Sequence, residues 1–178
     1  VSGRAANYNL DPVLIYDFYE EVRQGEKEGI PIEPYMVVYA YHNRIDDEEE
    51  IKSIKDYAKN NGLKTIAIGS LPWCDEFAVL TPFQVLAYFK NAHCIVTDTF
   101  HGTVIAAKFN KSVAVIIRDS NYNKLWDLVE RLQIQKHIYC KGMDIASILQ
   151  IRDDYDLCNK EIEKGIKDAD EYLKACGF

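Results

Sequence analysis

No stretch of this chain is apolar for long enough to span a bilayer, and its opening residues lack the layout of a secretion signal. Taken alone, that predicts a cytoplasmic protein. Cysteine is sparse and unpaired. The five residues, Cys74, Cys94, Cys140, Cys158 and Cys176, are odd in number and have no Cys-x-x-Cys spacing. Neither a zinc site nor a disulfide framework is indicated, and reduced cytosolic thiols are expected. Positive charge is also short. Lys and Arg total 21 against 28 Asp and Glu, a net charge of −7. A nucleic-acid partner is excluded, because neutralising phosphates takes a basic surface. Any anionic substrate must be held by local donors against an unfavourable overall field. No internal repeat or low-complexity tract is visible. The acidic run Asp46-Asp47-Glu48-Glu49-Glu50 has no His/Asp/Glu constellation around it. It reads as a solvated helix start, with neither a metal nor a cofactor expected.

What is present is an ordinary globular composition, 48% hydrophobic and 28% charged over 178 residues. That length is ample for one domain with a core and short for two. Residues 1–33 are mixed in character, with a short helix expected from Asp17 to Arg23. Tyr35 to Tyr41 is a continuous apolar run rich in β-formers, as in a strand covered on both faces. Ile51, Ile54 and Ala58 recur at helical spacing in a segment that ends at Asn60-Asn61-Gly62. Thr65 to Ile68 reads as the next strand, followed by a loop carrying Pro72-Trp73. Thr81 is placed to cap a helix with Pro82 at its first position and Val85, Leu86 and Phe89 inward. Val113 to Ile117 is another buried strand, and Ile138-Tyr139 a short one. Between them Leu125, Leu128, Val129 and Leu132 mark an amphipathic helix. A long C-terminal helix carries Cys158, Ile162, Ile166, Ala169, Leu173 and Cys176 on one face.

Alternating buried strands and amphipathic helices predict an α/β fold: a Rossmann-like parallel sheet of about five or six strands with helices on both faces. Ligands of such sheets bind beyond the carboxyl ends of the strands. Three segments fall there: His42-Asn43-Arg44, Arg118-Asp119 and the turn from Thr97 to Gly102.

That turn is the most informative part of the chain. Cys94-Ile95-Val96 reads as a strand, Thr97-Asp98-Thr99-Phe100-His101-Gly102 as a polar turn, and Thr103 to Phe109 as a helix. Backbone amides and the positive end of the helix dipole converge on one small volume, with a histidine and threonine hydroxyls beside it. Histidine suits proton transfer or the holding of a substrate oxygen, since its unperturbed pKa is near neutrality. A helix-entry histidine bonded to a neighbouring turn is the alternative. Gly102 permits close backbone approach or an unusual dihedral. Thr99 and Thr103 either cap the helix or donate to an oxyanion, and capping is the default. Asp98, a carboxylate beside an anion site, is read as orienting a backbone or the histidine ring. Arg44 and Arg118 are the candidate anion clamps, with Arg4 near the chain start as a further cation. Tyr122 and Trp126 either line a sugar site or, at helical spacing, pack in the core.

Thr97-Asp98-Thr99-Phe100-His101-Gly102-Thr103, followed by Lys108-Phe109-Asn110-Lys111-Ser112, resembles the Ser-Asp-Ser-Phe-His-Gly-Thr signature of the polysaccharide pyruvyl transferase family and its Phe-Asn-Lys-Pro sequel. Ser112 stands where the family has proline. Leu10-Asp11-Pro12-Val13-Leu14 is similar to the family's Asp-Pro segment. Thr81-Pro82-Phe83-Gln84-Val85-Leu86, ending in Asn91-Ala92, is similar to its Ser-Pro-x-x-Phe-Leu helix. The resemblance runs over residues 9–140. Thr99 departs from branches that carry arginine at that position, and Asn121-Tyr122-Asn123-Lys124 departs from the family's Asn-x-Arg.

The resemblance implies that the chain, which does not start with methionine, is the C-terminal half of a GT-B-type two-domain enzyme. Residues 1–33 would be the hinge or linker from the missing N-terminal domain and residues 34–178 the Rossmann-like domain. It further implies transfer of the enolpyruvyl group of phosphoenolpyruvate to a glycan or lipid-linked sugar acceptor, with peripheral association at the membrane that carries such an acceptor. His101 would be the catalytic group, as general acid or phosphate-side donor, and Thr99, Gly102, Thr103, Arg44 and Arg118 would bind substrate. Three other readings remain to be weighed. One is the donor-binding half of a GT-B glycosyltransferase or sugar-nucleotide epimerase, and another a binding module without catalysis. The third, a phospho-accepting receiver, lacks the acidic pair required after the first strand, where Tyr41-His42-Asn43 stands.

Overall fold

Six strands line up side by side, all parallel, in a computed structural model that describes residues 9–69, 71–151 and 155–177. Arg4 lies outside the described residues. The strands are β1 (Tyr35–Tyr39), β2 (Lys64–Ile68), β3 (Glu76–Ala78), β4 (Cys94–Thr97), β5 (Val113–Ile116) and β6 (Ile138–Tyr139), in the order β3-β2-β1-β4-β5-β6. The chain starts in the middle, winds outward to β3, returns beside β1 as β4, and winds outward the other way. This is an α/β Rossmann-like fold, and the reversal of winding opens a crevice at the carboxyl ends of β1 and β4. The register pairs Tyr39 with Thr97, so the last residues of these two strands stand side by side at that crevice.

Side chains alternate across the sheet because successive residues of a strand point to opposite faces. On one face Val37, Ile66, Ile95, Val113 and Val115 join the larger core. It is covered by α1 (Pro12–Ile15), α2 (Tyr19–Lys27), α4 (Pro82–Asn91), α5 (Phe100–Lys108), α6 (Tyr122–Arg131) and α8 (Asp156–Ala175). On the other face Met36, Val38, Ala67, Val96 and Ala114 pack under α3 (Glu48–Asn60) and α7 (Ile145–Leu149). Phe89 of α4 has no exposed surface, and its truncation to alanine would cost about 3–5 kcal/mol through the cavity left behind.

Local sequence sets the helix starts. Thr81 and Gln84 form a reciprocal capping box with Pro82 behind the cap. Asp47 caps α3 by accepting from the amides of Glu49 and Glu50, both at 3.1 Å. Asp11 caps α1 with Pro12 following.

Several expectations change. The helix expected from Asp17 to Arg23 is present as α2, a further one, α1, precedes it, and Leu14 and Val22 are part of the core. The loop after Trp73 contains a sixth strand, β3. Only three residues long and largely exposed, it has no alternating pattern that sequence could display. The C-terminal helix buries Cys158 and Ala169, whereas Leu173 is 48% exposed, so its far end extends past the core it was expected to cover. Trp126 is not core: it is 38% exposed and stacks on Tyr122 with ring centroids 5.7 Å apart. Ser112 uses the position of the family's proline to donate from its hydroxyl to the Leu149 carbonyl at 2.6 Å.

Candidate functional site

The site is built around the step from β4 into α5. The Thr97 hydroxyl donates to the Tyr39 carbonyl at 2.7 Å, tying the ends of β4 and β1 together. Having used its only hydrogen, it can only accept from the Thr99 amide at 3.1 Å and from the Thr99 hydroxyl at 3.0 Å. Thr99 Oγ1 in turn accepts from the Gly102 amide at 2.9 Å, which makes Thr99 the N-cap. The Thr103 hydroxyl donates back to the Thr99 carbonyl at 2.9 Å. The hydroxyls of Thr99 and Thr103 therefore build the turn, and both residues are buried.

With Thr99 as cap, α5 begins at Phe100 and not at Thr103. His101 and Gly102 lie in its first turn. Of the leading amides, that of Gly102 goes to Thr99 Oγ1 and that of Thr103 to the Thr99 carbonyl. The amides of Phe100 and His101 have no acceptor among the described residues, and the dipole adds its positive end there. The His101 ring is exposed, edge-on to the Phe100 ring at 5.6 Å and 85°. Lys124 places its ammonium 4.2 Å from the centre of the same Phe100 ring. Gly102 is required by close packing and not by its dihedral angle. A Cβ there would sit 2.2 Å from Thr97 Oγ1, 2.7 Å from Thr99 Oγ1 and 2.9 Å from Tyr39 Cδ1.

Neither candidate arginine stands free. Arg44 donates from Nε to Asp98 Oδ2 at 3.0 Å. Arg118 donates to both carboxylate oxygens of Glu50, Nη1 to Oε1 at 2.9 Å and Nη2 to Oε2 at 2.5 Å. Glu50 is 2% exposed and Asp98 has no exposure at all. Burial raises the Asp98 carboxyl above its usual range, opposed by the hydrogen bond and charge of Arg44, by the Tyr41 amide and by Arg118. Asp98 Oδ1 has no hydrogen-bond partner of good geometry among the described residues. Asp98 thus takes an arginine, where sequence pointed to a backbone or the histidine ring.

The structure thereby gathers His101, Gly102, Thr99, Thr103, Arg44 and Arg118 at one end of the sheet, with the two arginines each matched to a carboxylate of the chain itself. Asn121 is the clasp. Its side-chain amide donates to the Asp98 carbonyl at 2.7 Å and accepts from the Arg118 amide at 2.8 Å, joining the loops after β4 and β5. In the sequence Asn121 stands out only as part of a partial motif. Glu50 reads there as a solvated helix residue. The missed signal was spacing, since Glu50, Ile54, Tyr57 and Ala58 share the buried face of α3. Among the described residues no cluster of His, Cys, Asp or Glu could hold a metal ion. No helix of the described residues is long and apolar enough to cross a membrane.

Fold and site together define an α/β domain with an amide-rich, histidine-bearing turn at its topological switch point. The sequence model of the polysaccharide pyruvyl transferase family matches residues 5–120, well over half of the chain and including this whole turn. The chain belongs to the polysaccharide pyruvyl transferase family. A comparison with curated proteins gives no match. Among solved structures it is similar to the glycosyltransferase SnogD from Streptomyces nogalater, with 11% identity and a TM-score of 0.42. That similarity covers 80% of this chain and 44% of the SnogD chain, so this chain spans less than half of that protein.

Proposed function

We propose that this chain is the C-terminal domain of a ketal-forming pyruvyltransferase, which moves the enolpyruvyl group of phosphoenolpyruvate onto a sugar of a surface-polysaccharide precursor. The carrying observation is the exposed His101 ring on the first turn of α5, beside the open amides of Phe100 and His101, inside the segment that the family model matches. The donor's methylene carbon takes a proton, leaving an oxocarbenium-like centre at the carbon that bears phosphate. One sugar hydroxyl adds there and phosphate departs. A second hydroxyl then closes the ring, and the two hydroxyl protons are released. A site for this chemistry must hold phosphate and carboxylate and meet charge as it develops on the leaving group. His101 serves as general acid or as donor on the phosphate side, with the two amides receiving an oxyanion and Arg44 close by. Thr99, Gly102 and Thr103 hold the turn in shape, and Arg118 braces it from the neighbouring loop. An N-terminal domain of the same protein supplies the opposite wall of the cleft, and the enzyme works in the cytoplasm on a glycan or lipid-linked acceptor at the membrane surface.

The test is phosphate release and ketal formation by the full-length protein from phosphoenolpyruvate and lipid-linked sugar pools, compared with His101→Gln. A loss of about a hundredfold or more in kcat is expected if the imidazole transfers or shares a proton. Near-normal turnover in the variant would remove His101 from the mechanism. Calorimetry that finds a uridine diphosphate compound bound, and phosphoenolpyruvate not, would move the protein to the nucleotide-sugar enzymes.

A further inference from the structure

We infer that Asp98 is a positioning residue for the anion site: its buried carboxylate aims Arg44 at the turn, so that removing this negative charge weakens anion binding instead of strengthening it. The inference rests on the reading of the β4–α5 turn as the place where an anionic donor is received.

On charge alone Asp98 is in the wrong place, since a carboxylate directly before the N-cap repels the ligand that the open amides attract. Its surroundings give it another role. The residue has no solvent exposure, and its backbone is pinned by Asn121, which donates to its carbonyl at 2.7 Å. The side chain is therefore a fixed reference point. Arg44 is brought to it by a tight turn after β1, in which the Arg44 amide bonds back to the Tyr41 carbonyl at 3.2 Å and Asn43 takes the left-handed conformation with φ 55°. Asp98 grips the guanidinium by Nε alone, at 3.0 Å. Both terminal nitrogens of Arg44 have no partner among the described residues, and its side chain keeps 31% exposure. Those two nitrogens form the fork that binds phosphate or carboxylate.

Arg118 is the other charged group facing Asp98 from a neighbouring loop, and it is in no position to replace Arg44, because both of its terminal nitrogens are on Glu50. Asp98 Oδ1 is left buried without a well-formed hydrogen bond.

The test measures the affinity of phosphoenolpyruvate and of inorganic phosphate by calorimetry for the full-length protein as wild type, Asp98→Asn, Arg44→Lys and the double variant. Asp98→Asn is expected to weaken both anions by about fivefold or more, the discrimination of a typical coupled pair. Arg44→Lys keeps the charge but loses the fork and is expected to do the same. If Asp98 acts through Arg44, the double variant is no weaker than Arg44→Lys alone. Unchanged or tighter binding by Asp98→Asn, or losses that multiply in the double variant, would overturn the inference. Should Asp98→Asn fail to fold by circular dichroism, Asp98→Glu decides, since it keeps the charge and moves the carboxylate that holds Arg44 Nε: weaker binding supports the inference and wild-type affinity overturns it. The donor reading fails separately. Phosphate bound with this pattern and phosphoenolpyruvate not bound would reject the donor and leave Asp98 in its role. A wild-type full-length protein that binds neither anion would overturn both.

Discussion

Arg118 and Glu50 stand 68 positions apart in the sequence and meet as a two-pronged ion pair that joins the loop after β5 to the start of α3. Glu50 is 2% exposed and Arg118 25%. Removing one partner of such a pair leaves an uncompensated charge in a poorly hydrated place, whereas removing both leaves none. Glu50→Ala is therefore expected to lower stability by about 3–5 kcal/mol in urea denaturation. The double change Glu50→Leu with Arg118→Met is expected to cost clearly less. Equal losses in the two would show that packing, and not charge, dominates at this place.

Gly102 is hemmed in by Thr97 Oγ1, Thr99 Oγ1 and Tyr39 Cδ1. Gly102→Ala forces the threonine pair or the tyrosine to move, and overpacking of this kind costs about 1–3 kcal/mol. Because the displaced hydroxyls include the cap of α5, the anion affinity should fall along with stability. Calorimetric titration with inorganic phosphate, next to a denaturation curve, separates the two effects. A variant with native stability and native affinity would show that the turn has slack where the geometry shows none.

Acid sensitivity should trace partly to Asp75. Its carboxylate accepts from the Thr65 amide at 2.9 Å and from the Thr65 hydroxyl at 2.8 Å. Those bonds, the backbone one first, hold the Asp75 carboxyl below its usual value of 3.8. For an acid whose folded-state pKa is depressed, the stabilisation is complete above the unfolded value and is lost as pH falls through the folded one. Asp75→Asn is therefore expected to be less stable than wild type near neutrality, to approach it as pH falls below about 4, and so to show a flatter acid limb. Urea midpoints measured over that range check it, and an unaltered acid limb in the variant would count against the bond.

The thiols should divide sharply by exposure. Cys140 and Cys176 are exposed, whereas Cys94 is fully buried and burial pushes its thiol up to about 12. Cys74, partly buried, is raised to about 12 by the same cause. The thiolate is the reactive form. An alkylating reagent under native conditions, read by mass spectrometry, should label Cys140 and Cys176 well before Cys94. Prompt labelling of Cys94 would mean that β4 opens far more readily than its central position in the sheet suggests.

The elements that came directly from the sequence are those governed by local rules. Thr81-Pro82 announces α4 because a capping hydroxyl and a fixed proline dihedral act within one turn of chain. Val113 to Ile116 reads as a strand because a buried parallel strand is apolar on both sides. The sequence pattern starts α5 at Thr103, three residues later than the structure does. The cap that moves it to Phe100 depends on Thr99 Oγ1, which is held in turn by a threonine hydroxyl bonded to another strand. β3 escaped notice because its place is fixed by pairing with β2 and by the bond between Thr65 and Asp75, not by a pattern of its own.

The order of residues by itself determined the parallel α/β layout and the histidine-bearing turn, since side-chain periodicity and capping are properties of neighbours along the chain. Only the folded structure decided which charges face each other. Arg44 with Asp98 and Arg118 with Glu50 are pairs 54 and 68 positions apart. Their meeting depends on how the sheet reverses its winding, and no local spacing records that.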